Sequence, residues 1–322
     1  DWFRQQGYST HHVGKWHLGE LNAQAAPVFQ GFDTSFGFMN QWFLQGPDKD
    51  GVPVMKAPIY ENPWLQNERD EWEPYQGYLP DILTADAVNK IESFAHNTSP
   101  WFMYYATPLA HAPVHLPPDT EVAEASSSNL ISMKLSPDEI KYQAMVAHLD
   151  ANVGQLLKAL DHSGQRGNTI IVFVSDNGAP EKRTFSNGSL GGGKGRYTEG
   201  GIRAPMIWVD PAHIVAGSLD ERAIAIMDVF PTLAARLGAP LPSPVDGLDI
   251  ASIPNIPAFQ KRVLYWLTRD SYSLLSSDKH WRLTEQWMLR TKQALNWSTV
   301  TGDIVEDKTS QRWLSFLSIN TM

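Results

Sequence analysis

Thr169-Ile-Ile-Val-Phe-Val-Ser-Asp-Asn-Gly178 is the stretch whose reading decides the fold. An apolar run rich in β-branched residues reads as a buried strand, and it stops on two oxygen donors and a glycine. Upstream, Ser136-Pro-Asp-Glu139 offers a capping box with proline at the first helical position. From there Tyr142, Met145, Val146, Leu149, Val153, Leu156, Leu157 and Leu160 recur at spacings of three and four, so a helix with one apolar face precedes the strand. Strand-like runs at 101–106 and 205–209, and helices near 83–95 and 227–237, alternate with them. That alternation predicts a layered α/β/α sandwich with a mostly parallel mixed sheet. After Pro240, Pro242 and Pro244 the pattern changes to short strand-like runs at 263–267, 272–275 and 280–283. A first domain over 1–252 is therefore expected, followed by a smaller α+β domain with an antiparallel sheet over 253–322.

The 322 residues are 42% hydrophobic and 19% charged, which suits a packed core and excludes a disordered or fibrous chain. No apolar run approaches the roughly 18 residues a membrane span needs. A net charge of -9 argues against a nucleic acid partner held by general electrostatics. With no cysteine, thiolate metal sites, disulfides and cysteine nucleophiles are excluded within these residues. The chain opens on Asp1 in a helix-like run closed by Gly7, and its N-terminus reads as cut. The serine-rich 124–129 stretch reads as an exposed loop, and 41–76 as a long irregular insertion of the kind that often carries function.

Asp176-Asn177 places two oxygen donors at the carboxyl end of a strand, where α/β proteins bind ligands; oxygen suits Ca²⁺ or Mg²⁺ rather than zinc. Asp-Asn-Gly reads equally as a plain turn. Lys15 and His17 flank Trp16, and an extended backbone would put both on one face, suited to an oxyanion or to solvent. His111 and His115 are four apart, but Pro113 between them argues against a helical zinc pair. Gly188-x-x-x-x-Gly193-Lys194 nearly spells a nucleotide phosphate loop, yet Gly195 stands where Ser or Thr is required, and Gly200-Gly201 argues against the helix that should follow. Ser189 is a poor hydrolase nucleophile because no Gly-x-Ser-x-Gly elbow surrounds it.

Four of these stretches, in order, resemble the sulfatase family of the alkaline phosphatase superfamily: Gly7-Tyr-Ser-Thr-His-His-Val-Gly-Lys-Trp-His-Leu-Gly19, Ala106-Thr-Pro-Leu-Ala-His111-Ala-Pro, Val174-Ser-Asp-Asn-Gly178 and Leu190-Gly-Gly-Gly-Lys194-Gly-Arg-Tyr-Thr-Glu-Gly-Gly-Ile-Arg203. Met227-Asp228 through Leu233 and Asp246-Gly247 also look familiar. The resemblance implies hydrolysis of the sulfate monoester of a glycan or aryl substrate. It implies catalytic roles for Lys15, His17, His111 and Lys194, with Lys15, His111 and Lys194 on the sulfate. Asp176 and Asn177 would be metal ligands, for Ca²⁺ before Mg²⁺. Glu199 and Arg203 would hold the loop, and His11, His12 and His115 have no matched role. The family's nucleophile is a formylglycine made from Cys or Ser in Cys/Ser-x-Pro-x-Arg; neither that motif nor the family's Asp-Asp metal pair occurs here. A sulfatase lacking its start, and inactive as written, is the resulting expectation. The rivals are a phosphodiesterase or phosphonate hydrolase of the same superfamily, which would more often carry Asp-His at the strand end, and a non-catalytic oxyanion- or glycan-binding protein. Substrate choice is expected from the 41–76 loop, where Trp42, Phe43, Trp64, Trp72 and Tyr75 either stack on a ring or form the loop's own core. Asn40 and Gln41 stand near where some relatives place a sulfate contact. Family habit, with sequons at Asn187 and Asn296, points to a secreted, periplasmic or lysosomal setting.

Overall fold

The computed structural model describes residues 1–19, 22–69, 71–118, 135–182, 184–220, 222–242, 244–250, 263–267, 271–276 and 282–286. It divides into two compact units, Asp1–Phe259 and Gln260–Met322. The boundary expected after residue 252 falls outside the described residues.

In the first unit, strands β1 (Ser9–Lys15), β2 (Thr34–Phe38), β3 (Trp64–Gln66), β4 (Trp72–Pro74) and β5 (Trp101–Ala106) form one mixed sheet in the order β4-β3-β2-β1-β5. Its centre is parallel: β1 pairs with β2 on one side and β5 on the other, while β3 and β4 add an antiparallel edge. That edge lies inside the 41–76 stretch, so part of the expected irregular insertion is sheet. The parallel centre is tightly drawn. A Cβ on Gly14 would stand 2.1 Å from the Ala106 carbonyl oxygen, and one on Gly37 2.1 Å from the Gly14 oxygen.

Helix α1 (Trp2–Gln5) precedes β1. Helix α2 (Leu79–Phe94) starts earlier than its periodicity suggested, because Pro80 sits in the first turn, where a missing N–H costs nothing. Helix α3 (Pro137–His162) is capped as expected: Ser136 Oγ accepts from the Glu139 amide at 3.4 Å, and Glu139 Oε2 accepts from the Ser136 amide at 2.7 Å. Leu79, Leu83 and Ala87 of α2 and Met145 of α3 bury against Val13, Phe36, Phe38 and Leu65 of the sheet. Each fully buried leucine there contributes about 2 kcal/mol. On the opposite face Phe102 of β5 stacks on Phe3 of α1 at 4.1 Å, and Trp2 meets Phe230 edge-on at 5.2 Å. Phe230 belongs to α5 (Val229–Arg236), which completes a third layer.

Strands β6 (Ile171–Val174) and β7 (Met206–Val209) pair antiparallel in a sheet of their own, beside the mixed sheet with its parallel centre. Their connection carries only a four-residue turn of helix, α4 (Glu199–Ile202), where a parallel return would need a crossover helix. That turn also corrects the argument against helix at Gly200-Gly201. In the second unit β8 (Val263–Leu267), β9 (Ser271–Ser276) and β10 (Arg282–Gln286) form an antiparallel sheet. The helical part expected there, the 124–129 loop and Asn296 lie outside the described residues.

Candidate active site

The candidate residues sit just past the carboxyl ends of β1, β5 and β6 and in the glycine-rich segment. β1 ends at Lys15, and His17 adopts a left-handed backbone with φ of 56°. The segment is therefore not extended through His17, and strand alternation does not pair Lys15 with it. Trp16 anchors the turn instead, donating its Nε1–H to the Ala25 carbonyl at 2.7 Å.

β5 runs out at Ala106, and the loop beyond it carries His111 at the surface. The His111 amide donates to the Pro108 carbonyl at 2.8 Å, and its own carbonyl accepts the Tyr60 hydroxyl at 2.9 Å. His115 supports the same loop. Its ring lies 4.1 Å from that of Tyr60, its Nδ1–H donates to the Pro113 carbonyl at 2.9 Å, and its Nε2 then accepts the Tyr78 hydroxyl at 2.7 Å. Burial pushes the Tyr60 and Tyr78 hydroxyls well above their ordinary range, so both remain protonated donors. Nothing in the linear pattern pointed to Tyr60.

His111 Nδ1 lies 2.7 Å from the Ala112 carbonyl, so Nδ1 carries a hydrogen and Nε2 is the nitrogen left for a ligand. Partial burial lowers the His111 pKa below its ordinary value, the Ala112 bond opposes this, Lys194 and then Lys15 lower it further, and Asp176 raises it. Residues 15, 111, 176 and 194 thus fall within one electrostatic neighbourhood although no two are near in sequence. Asp176 also acts, after burial, to raise the Tyr104 hydroxyl.

Asp176 is exposed one residue beyond Ser175, whose hydroxyl donates to the Asn177 carbonyl at 2.9 Å. Asn177 Nδ2 donates to the Gly178 carbonyl at 3.0 Å, so Oδ1 is the end of its amide that can meet a cation. Two oxygens suit a hard ion but do not fill its shell of six or more. Among the described residues no group of three His, Cys, Asp or Glu side chains is placed to hold a metal.

The glycine-rich segment packs backbone to backbone on this turn. The Gly178 amide donates to the Gly201 carbonyl at 2.9 Å, and a Cβ on Gly178 would stand 1.7 Å from the Gly200 oxygen. A Cβ on Gly193 would stand 2.4 Å from the Ala179 oxygen. Gly178, Gly193, Gly200 and Gly201 therefore serve close backbone approach. Arg196 pairs with Glu181 at 2.9 Å, and Arg203 with Glu199 at 3.4 Å, holding the loop from outside. Asp228, fully buried, accepts the Ala225 and Leu248 amides and so joins the 226–228 turn to the 246–250 segment.

In the 41–76 stretch Phe43, Trp72 and Tyr75 pack with residues that precede it, while Trp42 is exposed. Phe43 is buried with Met39 and Ala26 against Trp72, and Tyr75 meets Phe36 edge-on. Asn40 is buried and caps the turn at Gln41–Phe43, accepting from the Trp42 amide at 3.2 Å.

Residues 1–239 match the sulfatase family model. N-acetylgalactosamine-6-sulfatase of Mus musculus is 32% identical over 260 residues, covering 77% of this chain and 46% of that protein. Arylsulfatase J of Mus musculus is 31% identical over 251 residues, covering 77% and 40%. Among solved structures, that of Ps i-CgsB in complex with k-i-k-neocarrahexaose superposes with a TM-score of 0.77 at 26% identity, over 96% of this chain and 69% of that one. The chain spans about half the length of the curated relatives it matches.

Proposed function

The chain belongs to the sulfatase family, and from that premise we propose that the protein hydrolyses the sulfate monoester of a glycan or aryl substrate. The observation that supports the reading is that Lys194, Lys15 and Asp176, from three separate segments, all act electrostatically on His111. Two cations and an imidazole in one electrostatic neighbourhood suit a tetrahedral dianion, and donors of this kind would also stabilise charge developing on the leaving oxygen. His111 Nε2 is the group that meets that oxygen. It accepts while the ring is neutral and donates once protonated, and its Nδ1 bond to Ala112 holds the ring in place through both states. The N-acetylgalactosamine-6-sulfatase likeness and the neocarrahexaose-bound structure support a glycan, and the arylsulfatase likeness an aryl ester.

Asp176 and Asn177 would hold Ca²⁺ in preference to Mg²⁺, together with further oxygens; the ion would add positive charge that attracts the sulfate oxygens, and the Asp176 carboxylate would partly neutralise it. The nucleophile is read as a formylglycine, whose hydrated aldehyde attacks sulfur. These 322 residues contain no cysteine and no Ser-x-Pro-x-Arg, so they do not include it. That same observation favours a second reading for the 322 residues taken alone: sulfate binding without turnover. A secreted, periplasmic or lysosomal setting completes the proposal, and no helix among the described residues is long and apolar enough to cross a membrane.

The test is release of inorganic sulfate from 4-nitrophenyl sulfate and from a sulfated disaccharide by the gene's whole product and by the 322 residues alone. The whole product is expected to turn over, with His111→Ala and Lys194→Ala each lowering kcat/KM by about 10²–10³-fold. The 322 residues alone are expected to bind sulfate only. Cleavage of a phosphodiester in place of the sulfate esters would overturn the sulfatase reading.

A further inference from the structure

Asn187 occurs in a sequon and in a failed elbow motif, and neither describes what its side chain does. Its Oδ1 accepts the Ala179 amide at 2.8 Å, and its Nδ2 donates to the Ala179 carbonyl at 2.9 Å and to the Gly192 carbonyl at 3.0 Å. The amide thus pairs with Ala179 as a neighbouring strand would, using its acceptor and both its donors. The same Ala179 carbonyl also accepts the Lys194 amide at 3.0 Å. Ala179 directly follows Asp176-Asn177-Gly178, so one side chain ties the turn bearing the metal candidates to the loop bearing Lys194. Close approach allows this bond set: a Cβ on Gly193 would stand 2.4 Å from the Ala179 oxygen, so only glycine fits there.

We propose that Asn187 is a positioning residue that sets the placement of Lys194 relative to the 176–179 turn. It touches no substrate and acts through Lys194. Lys194 is the member of the cluster that needs such a device, because it rises from a run of glycines, where the backbone is least restrained by its own side chains. The proposal rests on the sulfate reading of Lys194 for its consequence in catalysis, but the clamp itself can be read without it.

The experiment compares Asn187→Ala, Asn187→Asp and Ser189→Ala in the gene's whole product. Ser189→Ala removes the sequon and leaves the clamp. Asn187→Asp is isosteric, leaves no cavity, and turns an oxygen toward two carbonyls in place of the donors, so it keeps the test decisive if the alanine variant does not fold. Amide hydrogen exchange is expected to quicken at least tenfold at Ala179 and Lys194 in Asn187→Ala, and at Lys194 in Asn187→Asp, whose carboxylate still accepts the Ala179 amide, and to stay unchanged in Ser189→Ala. Hydrolysis of 4-nitrophenyl sulfate is then measured for Asn187→Asp with and without Lys194→Ala. A loss in kcat/KM of about 10–100-fold is expected with Lys194 present and almost none without it, since the effect passes through Lys194. An equal loss in both backgrounds, or unchanged exchange at the Lys194 amide, overturns the proposal. Quickened exchange in a protein that neither binds inorganic sulfate nor cleaves the ester would retain the clamp and reject the sulfatase reading.

Discussion

The body of β1 and the rim of the sheet both carry histidines, and the same side chain does opposite work in the two places. In the body, His11 is fully buried between Thr34 Oγ1 at 2.7 Å and Asp86 Oδ2 at 2.8 Å, so both ring nitrogens are spent on the fold. Its neighbour His12 points to the other face among Trp16, Phe32 and Tyr104. There Nδ1 meets Ser35 Oγ at 2.9 Å, but Nε2 is buried with no partner. At the rim, His111 is exposed, tethered by one nitrogen, and set among charges from three other segments. The body histidines spend their rings on the fold, whereas the rim histidine keeps one nitrogen open to solvent.

The largest test of this contrast is steric. Gly14 has φ of 106° and no room for a Cβ beside Ala106, so Gly14→Ala strains the backbone and separates β1 from β5. A stability loss of about 4 kcal/mol is expected from denaturant midpoints, comparable to the most damaging core substitutions. A loss under about 1 kcal/mol would mean that the parallel centre is not so closely drawn.

Next in size is the buried imidazole of the body. Burial lowers the His12 pKa from 6.5 to about 4, against a backbone bond near Lys15 that raises it, with His11 lowering it further. The folded value lies below the unfolded one, so the unfolded chain takes up the proton first. The stability held above pH 6.5 is therefore lost as pH falls toward 4, by about 3 kcal/mol in all. His12→Phe is expected to remove that part of the acid sensitivity, measured as the difference between unfolding free energies at pH 7 and pH 4. Equal acid losses in both proteins would show that His12 is not buried as a neutral base.

The smallest effect belongs to the rim. A sulfate dianion beside His111 favours the imidazolium that Lys15 and Lys194 disfavour, so binding raises the His111 pKa. By linkage, affinity for inorganic sulfate strengthens as pH falls through the histidine range, by up to about tenfold, or 1.4 kcal/mol. Calorimetric titration at pH 5.5 and 8 should show this, and His111→Gln should flatten it. A flat profile in the unmutated protein would place His111 away from the anion.

Much of this was legible from residues alone. The capping box before α3 and its three-four apolar spacing identify the long helix, because both signals are local. The ordered appearance of Gly-Lys-Trp-His, the His111 loop, Asp-Asn-Gly and the glycine run suffices for the family, which the match over residues 1–239 bears out. Pairing was less legible. β6 and β7 carry the same apolar signal whether they pair in parallel or not, since direction is set by the path of the connection.

What only tertiary structure decided is which groups face one another. Adjacent His11 and His12 differ because strand alternation sends one toward Asp86 of α2 and the other into an aromatic pocket with one nitrogen unmatched. Asn187 reads as a surface sequon in one dimension and as a clamp in three, since its partners are backbone atoms that carry no sequence signature. Residue types and local spacing determined the elements and the family; that Lys15, Asp176 and Lys194 all act electrostatically on His111 required the folded chain, because such influence depends on distance through space rather than along the backbone.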